Sequence, residues 1–444
     1  MTGLLAYGSY LPAYRLDRDS GVRGTRVVAS FDEDSTTFAV AAASTLGDLG
    51  APEQLLLATT SPAYLDKTNA AAVHAALHLP VTTFAADLAG SGRSTFAAIR
   101  ATLSAGGLVV AADVRVGKPG SLDEKAGGDG AAALLFGDGA AIADVLGVVA
   151  ATEELLDRWR LPTSTTGEQW EERFGFERYA ALVRSTSERA LAEAGLEEAD
   201  HVVLTSPNQG VVKRGGGLVK GRLSTTASPI GHAGAADAAL GLAAVLDTAA
   251  ADETVLVLSA VDGCDALVLR TTELLPQRRQ PRPVAAQLAA GRTVPYVTYL
   301  AWRGLLDREL PRRPEPDRPA GPPSARGGSW KFGFSGTRCT ACGFLHLPPL
   351  RVCRSCSTAD AMETVEVSRL GGRVATYTVD RLAYSPSPPV VDVVVDFDGG
   401  GRCALEVADA DPETIEVGTR VDLTFRRLFT AGGVHNYFWK ARRA

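Results

Sequence analysis

The stretch FAADLAGSGRSTFAAIR, residues 84–100, decides how this sequence is interpreted. An apolar run leads into a glycine turn, and an alanine-rich run follows it. This order predicts a buried strand, a tight turn and a helix. A catalytic nucleophile often lies at such a turn, because the N-terminal end of a helix favours an anion. The turn offers Ser91, Gly92 and Arg93 and no cysteine, so it is either an active site with different chemistry or one that has lost its nucleophile.

Length and composition favour a soluble globular protein with two or three domains. The chain has 444 residues, of which 45% are hydrophobic and 22% charged. Its formal net charge of −6 argues against a nucleic-acid-binding protein. The sequence has no uninterrupted apolar run of about 18 residues, so we expect no membrane span. The opening residues do not follow the pattern of a secretory leader.

Residues 1–275 alternate short apolar runs with alanine-rich runs, which predicts an α/β domain. The apolar runs have no polar face, as expected for a sheet covered on both sides. The predicted strands are QLLLATTS, TTFAADLA, LVVAADV, AALLFG, HVVLTSP and TVLVLSAV. The predicted helices are TTFAVAAASTLGDLG, NAAAVHAALHL, STFAAIRATLSAG, ERYAALVRSTSERALAEAGL and GAADAALGLAAVLDTAA.

An internal repeat divides this domain. Residues 88–114 run from a glycine turn through an alanine-rich helix to an apolar strand, and residues 230–261 repeat that order. Two similar α/β halves, about 1–150 and 151–275, are the simplest interpretation. Small residues on both helices would let the halves pack closely. The alternative is a chance likeness in a sequence rich in alanine and glycine.

The C-terminal part of the chain has a different character. Residues 276–330 contain two Pro/Arg-rich stretches, which predict a linker. Between those stretches, VPYVTYLAWRGLLDREL (294–310) predicts an amphipathic helix that docks on a neighbouring domain or subunit. Residues 331–365 hold a cysteine motif. Residues 366–444 show about five short strands with Gly and Pro turns, which predict a small OB-type barrel.

Four of the six cysteines form two Cys-x-x-Cys pairs, at Cys339, Cys342, Cys353 and Cys356. Two close thiolate pairs complete a tetrahedron around zinc, and four thiolates leave no open position, so the expected zinc is structural. A redox pair is the alternative. This clustering favours metal ligands in a reducing cytoplasm over a disulfide framework. The other two cysteines, Cys264 and Cys403, are expected in the core.

The order of motifs in residues 1–275 resembles the thiolase superfamily, and within it the hydroxymethylglutaryl-CoA synthase and ketoacyl synthase III branch. The segments that carry the resemblance are DLAGSGRSTFAAI, GGDGAAALLFGDG, LTSPNQGVVK, GHAGAADAALGLAAVLD and SAVDGCDALVLRTT. The resemblance implies a thiolase fold, with two pseudo-repeated α/β halves layered αβαβα. A zinc ribbon and a small OB-type β-barrel are expected to follow it.

The C-terminal part resembles the acyl-CoA-associated OB-fold family that carries a zinc ribbon. The segments are CTACGFLHLPPLRVCRSC, GGRVATYTV, YSPSPPVVDVVVDF and LFTAGGVHNYFWKARR. Members of that family accompany thiolase-superfamily enzymes as separate subunits or fusions. The resemblance therefore implies a thiolase-family protein subunit as partner, a coenzyme A thioester as ligand, and a homodimer within a hetero-oligomer.

The resemblance also indicates where catalytic residues should be, and this sequence replaces each of them. The nucleophile position falls on Gly92, and the glutamate of the synthase branch falls on Thr60. The family histidine falls on Thr205, and the asparagine of the Gly-Asn segment falls on His232. Covalent acyl transfer needs a thiolate and a base, so a conventional synthase activity is not expected.

Some polar groups remain near these positions. His232 and Asn208 resemble the pair that polarises a thioester oxygen in the thiolase branch. Such a pair would stabilise an enolate without cysteine, as a retro-aldol cleavage requires, with Tyr64 or Asp262 as base. The alternative for His232 is a buried side chain that caps a helix. Ser91 as a replacement nucleophile is disfavoured, because its side chain should point away from the slot of position 92.

Three basic residues are candidates for binding coenzyme A. Arg93, beside the turn, either holds a phosphate or pairs with Asp87, and we favour the salt bridge. Lys213 and Arg214 lie in the glycine-rich stretch VVKRGGGLVKGR (211–222), whose charges are otherwise solvated loop charges.

Two functional classes follow from the sequence. In the first, the thiolase-like domain is a non-catalytic partner of a cysteine-bearing thiolase or acyltransferase, and the barrel positions acyl-CoA. In the second, the chain is a retro-aldol lyase that acts on 3-hydroxyacyl-CoA.

Overall fold

The computed structural model describes residues 2–16, 26–224, 228–311, 313–315, 317 and 327–444. Within these residues the chain divides into two compact units. The first unit comprises described residues of the ranges 1–29, 34–74 and 79–305. The second comprises Ser30–Glu33, Ala75–His78 and the described residues that follow Leu305. No helix among the described residues is long and apolar enough to cross a membrane.

The first unit alternates strands and helices, as its sequence predicts. Its strands are β1 (Gly3–Tyr10), β2 (Tyr14–Leu16), β3 (Val27–Val28), β4 (Gln54–Thr59), β5 (Phe84–Ala89), β6 (Gly107–Asp113), β7 (Gly130–Gly137), β8 (Ala143–Thr152), β9 (Arg158–Trp159), β10 (Glu168–Gln169), β11 (Ala199–Thr205), β12 (Gly221–Leu223), β13 (Thr254–Ser259), β14 (Gly263–Thr271) and β15 (Arg292–Val294). Its helices are α1 (Ser35–Ser44), α2 (Ala70–Ala76), α3 (Ser94–Ala105), α4 (Leu122–Ala126), α5 (Glu172–Glu193), α6 (Gln209–Arg214), α7 (Asp237–Leu246), α8 (Val284–Ala289) and α9 (Tyr296–Trp302).

The main sheet of this unit is built from two halves of matching order. Within the described residues its ten strands run β12-β11-β13-β14-β8-β1-β7-β6-β4-β5. The order reads the same from either edge when β1, β4, β5, β6 and β7 are matched with β8, β11, β12, β13 and β14. Antiparallel pairing of β1 with β8 joins the halves. The second half therefore begins at Ala143, and the predicted division near residue 150 falls inside β8.

Helices pack on both halves of the sheet, and α7 lies between the halves. Helix α7 contacts β7 of the first half and β11 of the second, and α3 packs on β4 and β6. Helix α1 packs on β1, β6 and β7, while α5 packs on β8 and β14. These contacts give the expected αβαβα layering. The alanine-rich composition of α7 fits this place, because a helix buried on nearly all sides needs small apolar residues.

Local sequence signals set several of these boundaries. Helix α1 begins after Asp34, whose carboxylate accepts hydrogen bonds from the backbone N–H groups of Thr36 and Thr37. The Thr37 hydroxyl in turn accepts from the Asp34 backbone N–H, which completes a capping box. This cap holds the start of a helix that is almost wholly buried.

Residues 276–305 belong to the first unit, which extends thirty residues beyond the predicted boundary at 275. Strand β15 pairs with β2, and Tyr299 of the predicted docking helix is buried against Leu16, Val28 and Val294. The helix therefore docks within its own unit. Its seven residues form a shorter helix than the sequence predicts.

The Pro/Arg-rich composition predicted a linker here, but this segment makes several buried hydrogen bonds with the rest of the first unit. Gln280 donates to Asp247 and accepts from Ser9, and Gln287 accepts from the backbone N–H of Leu11. The second predicted linker stretch, 311–328, lies mostly outside the described residues.

The second unit contains the zinc-ribbon and barrel segments. Its elements are α10 (Gly328–Gly333), β16 (Ser335–Cys339), β17 (Leu345–His346), β18 (Met362–Glu366), β19 (Gly372–Asp380), β20 (Val390–Phe397), β21 (Arg402–Glu406), β22 (Arg420–Ala431) and β23 (Val434–Arg443). Within its described residues, one sheet has the order β17-β16-β18 and another the order β21-β20-β19-β22-β23. A bridge between Val407 and Ala441 links the two edges of the larger sheet, which closes it as a small barrel.

Buried ion pairs hold the segment Ser30–Glu33 against strands β22 and β23 of the second unit. Arg426 of β22 pairs with Glu33 and with Asp409. Lys440 of β23 lies 3.0 Å from Asp32 and 2.7 Å from Glu406. No sequence pattern pointed to these pairs, because the four-residue segment lies far along the chain from the barrel strands.

Candidate functional site

A cavity of about 170 Å³ lies beside the glycine turn of residues 90–92. Several loops that follow parallel strands form its wall. They contribute Thr60 after β4, the glycine turn after β5, Arg115 after β6 and Pro207 after β11. Ligands of α/β proteins commonly bind outside the carboxyl ends of such strands. The cavity is therefore the natural candidate site of the first unit.

The two related glycine turns meet at this cavity. Gly92 precedes α3 and Gly234 precedes α7, and both line the wall. A Cβ atom built on Gly92 would lie 3.3 Å from the carbonyl oxygen of Gly234. Gly234 itself has a φ of 57°, and a Cβ there would lie 2.0 Å from Oδ2 of Asp113, so this turn requires glycine. The close approach brings the start of α3 against the turn before α7, where the Thr95 hydroxyl donates to the Ala235 carbonyl.

The structure gathers three of the five predicted catalytic positions at the cavity. Gly92, Thr60 and His232 all line it. Among the described residues that form the wall there is no cysteine. Thr205 is buried at the end of β11, where its hydroxyl donates to the Leu258 carbonyl at 3.3 Å, and it does not line the cavity.

His232 is held in one orientation. Its Nδ1 lies 2.7 Å from the carboxylate of Asp237, in the first turn of α7. Its backbone N–H donates to Ala126, and its carbonyl accepts from Gly128. The functional and capping interpretations both fit this geometry, since the ring lines the cavity while it bonds to the start of the helix.

Asn208 is used as a helix cap. Its Oδ1 accepts from the backbone N–H groups of Gly210 and Val211, and its Nδ2 donates to the Glu172 carbonyl at 2.9 Å. This places the amide at the start of α6, where asparagine is a preferred cap. The structure therefore does not bring Asn208 to the cavity beside His232. Of the two predicted bases, Asp262 lines the cavity and Tyr64 does not.

Arg93 pairs with Asp265, and the predicted pairing with Asp87 is wrong. Its Nε and Nη2 donate to the two carboxylate oxygens of Asp265, at 2.8 and 3.0 Å, and Nη1 donates to the Asp262 carbonyl. The Asp87 carboxylate instead accepts from the backbone N–H groups of Asn69 and Ala70. With its guanidinium occupied in this way, Arg93 is a poor candidate for binding a phosphate.

Lys213 and Arg214 are exposed on α6 and do not line the cavity. The Arg214 guanidinium lies over the ring of Phe176, 4.4 Å from its centre. Neither side chain contributes to the wall of the cavity.

Asp113 organises the loop that presents Thr60. Its carboxylate is fully buried and accepts from Thr59, Thr60 and Ser61, and from the backbone N–H of Ala235 at 2.6 Å. It thus links the loop after β4 to the turn before α7. The Thr60 hydroxyl donates to Asp113.

The four clustered cysteines lie in the second unit. Their sulfur atoms all lie within 4.8 Å of one another, with Cys339 to Cys356 at 3.7 Å and Cys342 to Cys353 at 3.5 Å. A tetrahedron with Zn–S bonds of about 2.3 Å has sulfur–sulfur edges of about 3.8 Å. These residues therefore fit a zinc ion, which would supply a structural cross-link between the two cysteine pairs.

Comparison with known proteins shows what these two units resemble. Residues 333–363 match the family described as "ChsH2, rubredoxin-like zinc ribbon domain", and residues 364–426 match "ChsH2, C-terminal OB-fold domain". A DUF35 domain-containing scaffold protein of Methanocaldococcus jannaschii is 30% identical over 115 residues, which is 25% of this chain and 81% of that protein. The chain belongs to the family of DUF35 domain-containing proteins.

The first unit of this DUF35-family protein is similar to hydroxymethylglutaryl-CoA synthases. The synthase of Archaeoglobus fulgidus is 27% identical over 339 residues, which is 68% of this chain and 98% of the relative. The solved structure of a hydroxymethylglutaryl-CoA synthase complexed with CoA has the same fold, with a TM-score of 0.60 and 16% identity over 70% of this chain and 91% of that one. The predicted architecture is confirmed: a thiolase-fold domain followed by a zinc ribbon and an OB-type barrel.

Three arginines at the cavity of the DUF35-family protein were missed by sequence reasoning. Arg115, Arg158 and Arg160 all line the wall. A signal was available in DRWR (157–160), because residues two apart on an extended strand point the same way. Sequence alone did not show that this short strand lies against the loops after β4 and β6.

The charges around these arginines depend on one another. Burial lowers the pKa of Arg115; Asp113 and Asp123 oppose that shift, while Arg158 and Arg160 add to it. Burial raises the pKa of Asp123, but Arg158 and Arg115 outweigh it, so this pKa is below its ordinary value. Asp123 is therefore ionised at neutral pH and serves as the counter-ion of the cluster.

We expect the Cys353→Ser variant of this DUF35-family protein to lose bound zinc, because three thiolates and a hydroxyl hold the ion far more weakly than four thiolates. Zinc per chain, measured by mass spectrometry of metals, should fall from one to near zero. Hydrogen exchange in β16 and β18 should increase at the same time. Cys403→Ser, which alters a half-buried cysteine of β21 outside the cluster, should retain zinc. Equal zinc in both variants would contradict the site.

Proposed function

We propose that this protein is an acyl-CoA-handling subunit whose synthase-like domain forms no covalent acyl-enzyme. It acts beside a catalytic thiolase or acyltransferase subunit, while its OB-type domain positions the acyl-CoA. The observation that carries the proposal is Gly92, which stands at the predicted nucleophile position and lines the cavity. An acyl-enzyme needs a nucleophilic side chain and a base that activates it, and a glycine supplies neither.

The cysteine and serine closest to this role do not replace the missing thiol. Cys264 is buried in β14, and burial raises its pKa to about 12, so it remains a neutral thiol. It does not line the cavity. Ser91 does line it, but its Oγ accepts from the backbone N–H of Arg93, and no histidine or carboxylate hydrogen-bonds to it among the described residues. An unactivated hydroxyl is a weak nucleophile at neutral pH.

The relatives support the helper role. The second unit belongs to a family whose members from Methanocaldococcus jannaschii and Methanothermobacter thermautotrophicus are named scaffold proteins. The first unit keeps the fold of synthases, one of which binds CoA. A fused chain with both parts would hold acyl-CoA close to a partner that supplies the cysteine.

One observation favours a second candidate, a retro-aldol lyase for 3-hydroxyacyl-CoA. His232 lines the cavity with its Nδ1 bonded to Asp237, and Asp262 lines the same cavity. In such a reaction Asp262 would take the proton of the 3-hydroxyl group as the C2–C3 bond breaks. C3 would leave as the carbonyl carbon of an aldehyde or ketone, and the electron pair of the broken bond would pass to the thioester as an enolate whose oxygen His232 stabilises. Asp262 would return its proton to C2 to complete the acyl-CoA.

The test begins with isolation of the tagged protein from its own host cells and mass spectrometry of the chains that copurify in stoichiometric amounts. We expect a thiolase-family subunit with an intact cysteine site. The purified protein alone, incubated with acetyl-CoA, should show no acyl adduct in its intact mass. Gly92→Cys is the matched control. Alkylation of its new thiol shows that a nucleophile at this position is accessible and that an adduct would be detected.

Three outcomes would change the proposal. An acyl adduct on the unmodified chain would show covalent catalysis after all. Recovery only as a homo-oligomer would remove the partner role. Cleavage of 3-hydroxyacyl-CoA by the isolated chain, abolished in His232→Ala, would establish the lyase in its place.

A further inference from the structure

The three arginines of the cavity differ in how their charges are balanced. Asp123 accepts a hydrogen bond from Arg158 and lies 4.0 Å from Nη2 of Arg115. These two guanidinium groups therefore share Asp123, and Asp113 also favours the charged form of Arg115. Arg160 donates to the backbone carbonyl of Thr60, which carries no charge. In the part of the chain that the structure describes, no carboxylate lies within ion-pair distance of Arg160.

Two of the arginines converge on the same residue. Arg115 donates from Nη1 to the Thr60 hydroxyl at 2.8 Å, and Arg160 donates to the carbonyl of that residue. Thr60 is the position at which the sequence resemblance predicts a glutamate. Asp113 accepts a hydrogen bond from the same hydroxyl and favours the charged form of Arg115, whereas Arg160 has no such carboxylate among the described residues. Burial lowers the pKa of Arg115, and Arg158 and Arg160 add to that shift while Asp113 and Asp123 oppose it.

We propose that Arg160 and Arg115 bind a carboxylate carried by the acyl chain, so that the substrate class is a dicarboxylic acyl-CoA; this inference rests on the proposed function. Planar guanidinium groups donate paired hydrogen bonds to a carboxylate, and such charge-assisted bonds are stronger than neutral ones. The bound carboxylate would supply the negative charge that Arg160 lacks. The arginines thereby select the acyl group.

The phosphates of coenzyme A are the other source of anionic oxygen in such a ligand. The acyl carboxylate is favoured because the arginines line the same small cavity as Gly92 and His232. These residues mark the position of the thioester under the proposed function. The phosphates are at the opposite end of the pantetheine arm, remote from the acyl group.

Calorimetric titration of the full-length protein with three probes tests this inference. Glutaryl-CoA and pentanoyl-CoA have acyl chains of equal length, and only the first ends in a carboxylate; free coenzyme A carries the phosphates alone. We expect glutaryl-CoA to bind on the order of ten-fold more tightly than pentanoyl-CoA, the size of a hydrogen bond to a charged group. In Arg160→Gln that preference should disappear, while pentanoyl-CoA and coenzyme A bind as before.

Two further variants make the comparison specific. Arg160→Lys keeps the charge without the planar fork and should keep part of the preference. Arg173→Gln removes an exposed arginine that pairs with Glu171 and does not line the cavity, and it should bind all three probes normally. Because Arg160 is itself exposed, its variants should fold, which thermal unfolding checks.

Each remaining outcome has a separate meaning. Equal affinity for glutaryl-CoA and pentanoyl-CoA in the unmodified protein would overturn the carboxylate assignment and leave the acyl-CoA-handling function intact. Weakened binding of coenzyme A itself in Arg160→Gln would assign the arginine to a phosphate and overturn the inference in that way. Failure of every thioester to bind would overturn the proposed function as well.

Discussion

Asp113→Asn is expected to destabilise the first unit by about 3 kcal/mol, since hydrogen bonds to a charged group contribute roughly 1.5–3 kcal/mol each and more than one is lost. Every partner of this buried carboxylate donates a proton: hydroxyls of Thr59, Thr60 and Ser61, and the backbone N–H of Ala235. An asparagine has one oxygen and one NH₂ group, so at least two of these donors would face another donor. The loop that presents Thr60 would then separate from the turn before α7.

The measurement is urea-induced unfolding of the full chain, followed by hydrogen exchange in β4, β6 and α7. The same variant should bind acyl-CoA poorly, because Thr60 is also the residue on which Arg115 and Arg160 converge. Asp252→Asn is the matched control: this residue is exposed and has a φ of 62°, a conformation that asparagine tolerates. An unchanged midpoint for Asp113→Asn would mean that the carboxylate does not organise the site.

Lys440→Met should destabilise the second unit by about 3–5 kcal/mol, the usual cost of removing one partner from a buried ion pair. Lys440 is almost fully buried and lies between Asp32 and Glu406. A methionine fills similar volume and leaves Asp32 as a buried charge without this counter-ion. Hydrogen exchange in β22 and β23, measured against denaturant concentration, reports the loss for this unit separately.

The same pair predicts a pH dependence. Burial raises the pKa of Asp32, but Lys440 and Arg426 outweigh it, so the folded-state pKa is below the ordinary value. A carboxyl group of this kind stabilises the folded state at pH above its ordinary pKa, near 4, and that contribution is lost as the pH falls through the lowered value. The difference between Lys440→Met and the unmodified protein should therefore shrink on acidification. Arg402→Met, which breaks an exposed pair with Asp396, should alter exchange little at any pH.

The regular elements could be predicted from sequence because their signals are local. Uninterrupted apolar runs identified most of the buried strands, and glycine turns before alanine-rich runs identified α3 and α7. Strand β5, at the edge of the sheet, is only partly buried, and the buried strand β1 was not among the predicted ones. The likeness of residues 88–114 to 230–261 predicted two halves, and the matched strand order has that form. The boundary at 275 was placed too early, since a Pro/Arg-rich composition does not reveal that Gln280 and Gln287 satisfy buried polar groups.

The cysteine cluster could also be predicted from sequence, because the members of each Cys-x-x-Cys pair are close along the chain. The residues that line the cavity could not be predicted from sequence, apart from those that the family resemblance indicated. Gly92, Thr60 and His232 were found through their motifs. Asn208 was predicted in the same way, but its short-range role as a helix cap decided its place.

The sequence by itself therefore determined most of the elements, their order, the cluster of four cysteines and the absence of cysteine at position 92. Only the tertiary structure decided which charges meet. Arg93 pairs with Asp265, 172 residues away, and Arg160 reaches Thr60 across 100 residues. Such contacts depend on the strand order of the sheet and on loops meeting at its carboxyl edge. Neither hydrophobic periodicity nor turn chemistry encodes them, because both describe only neighbours along the chain.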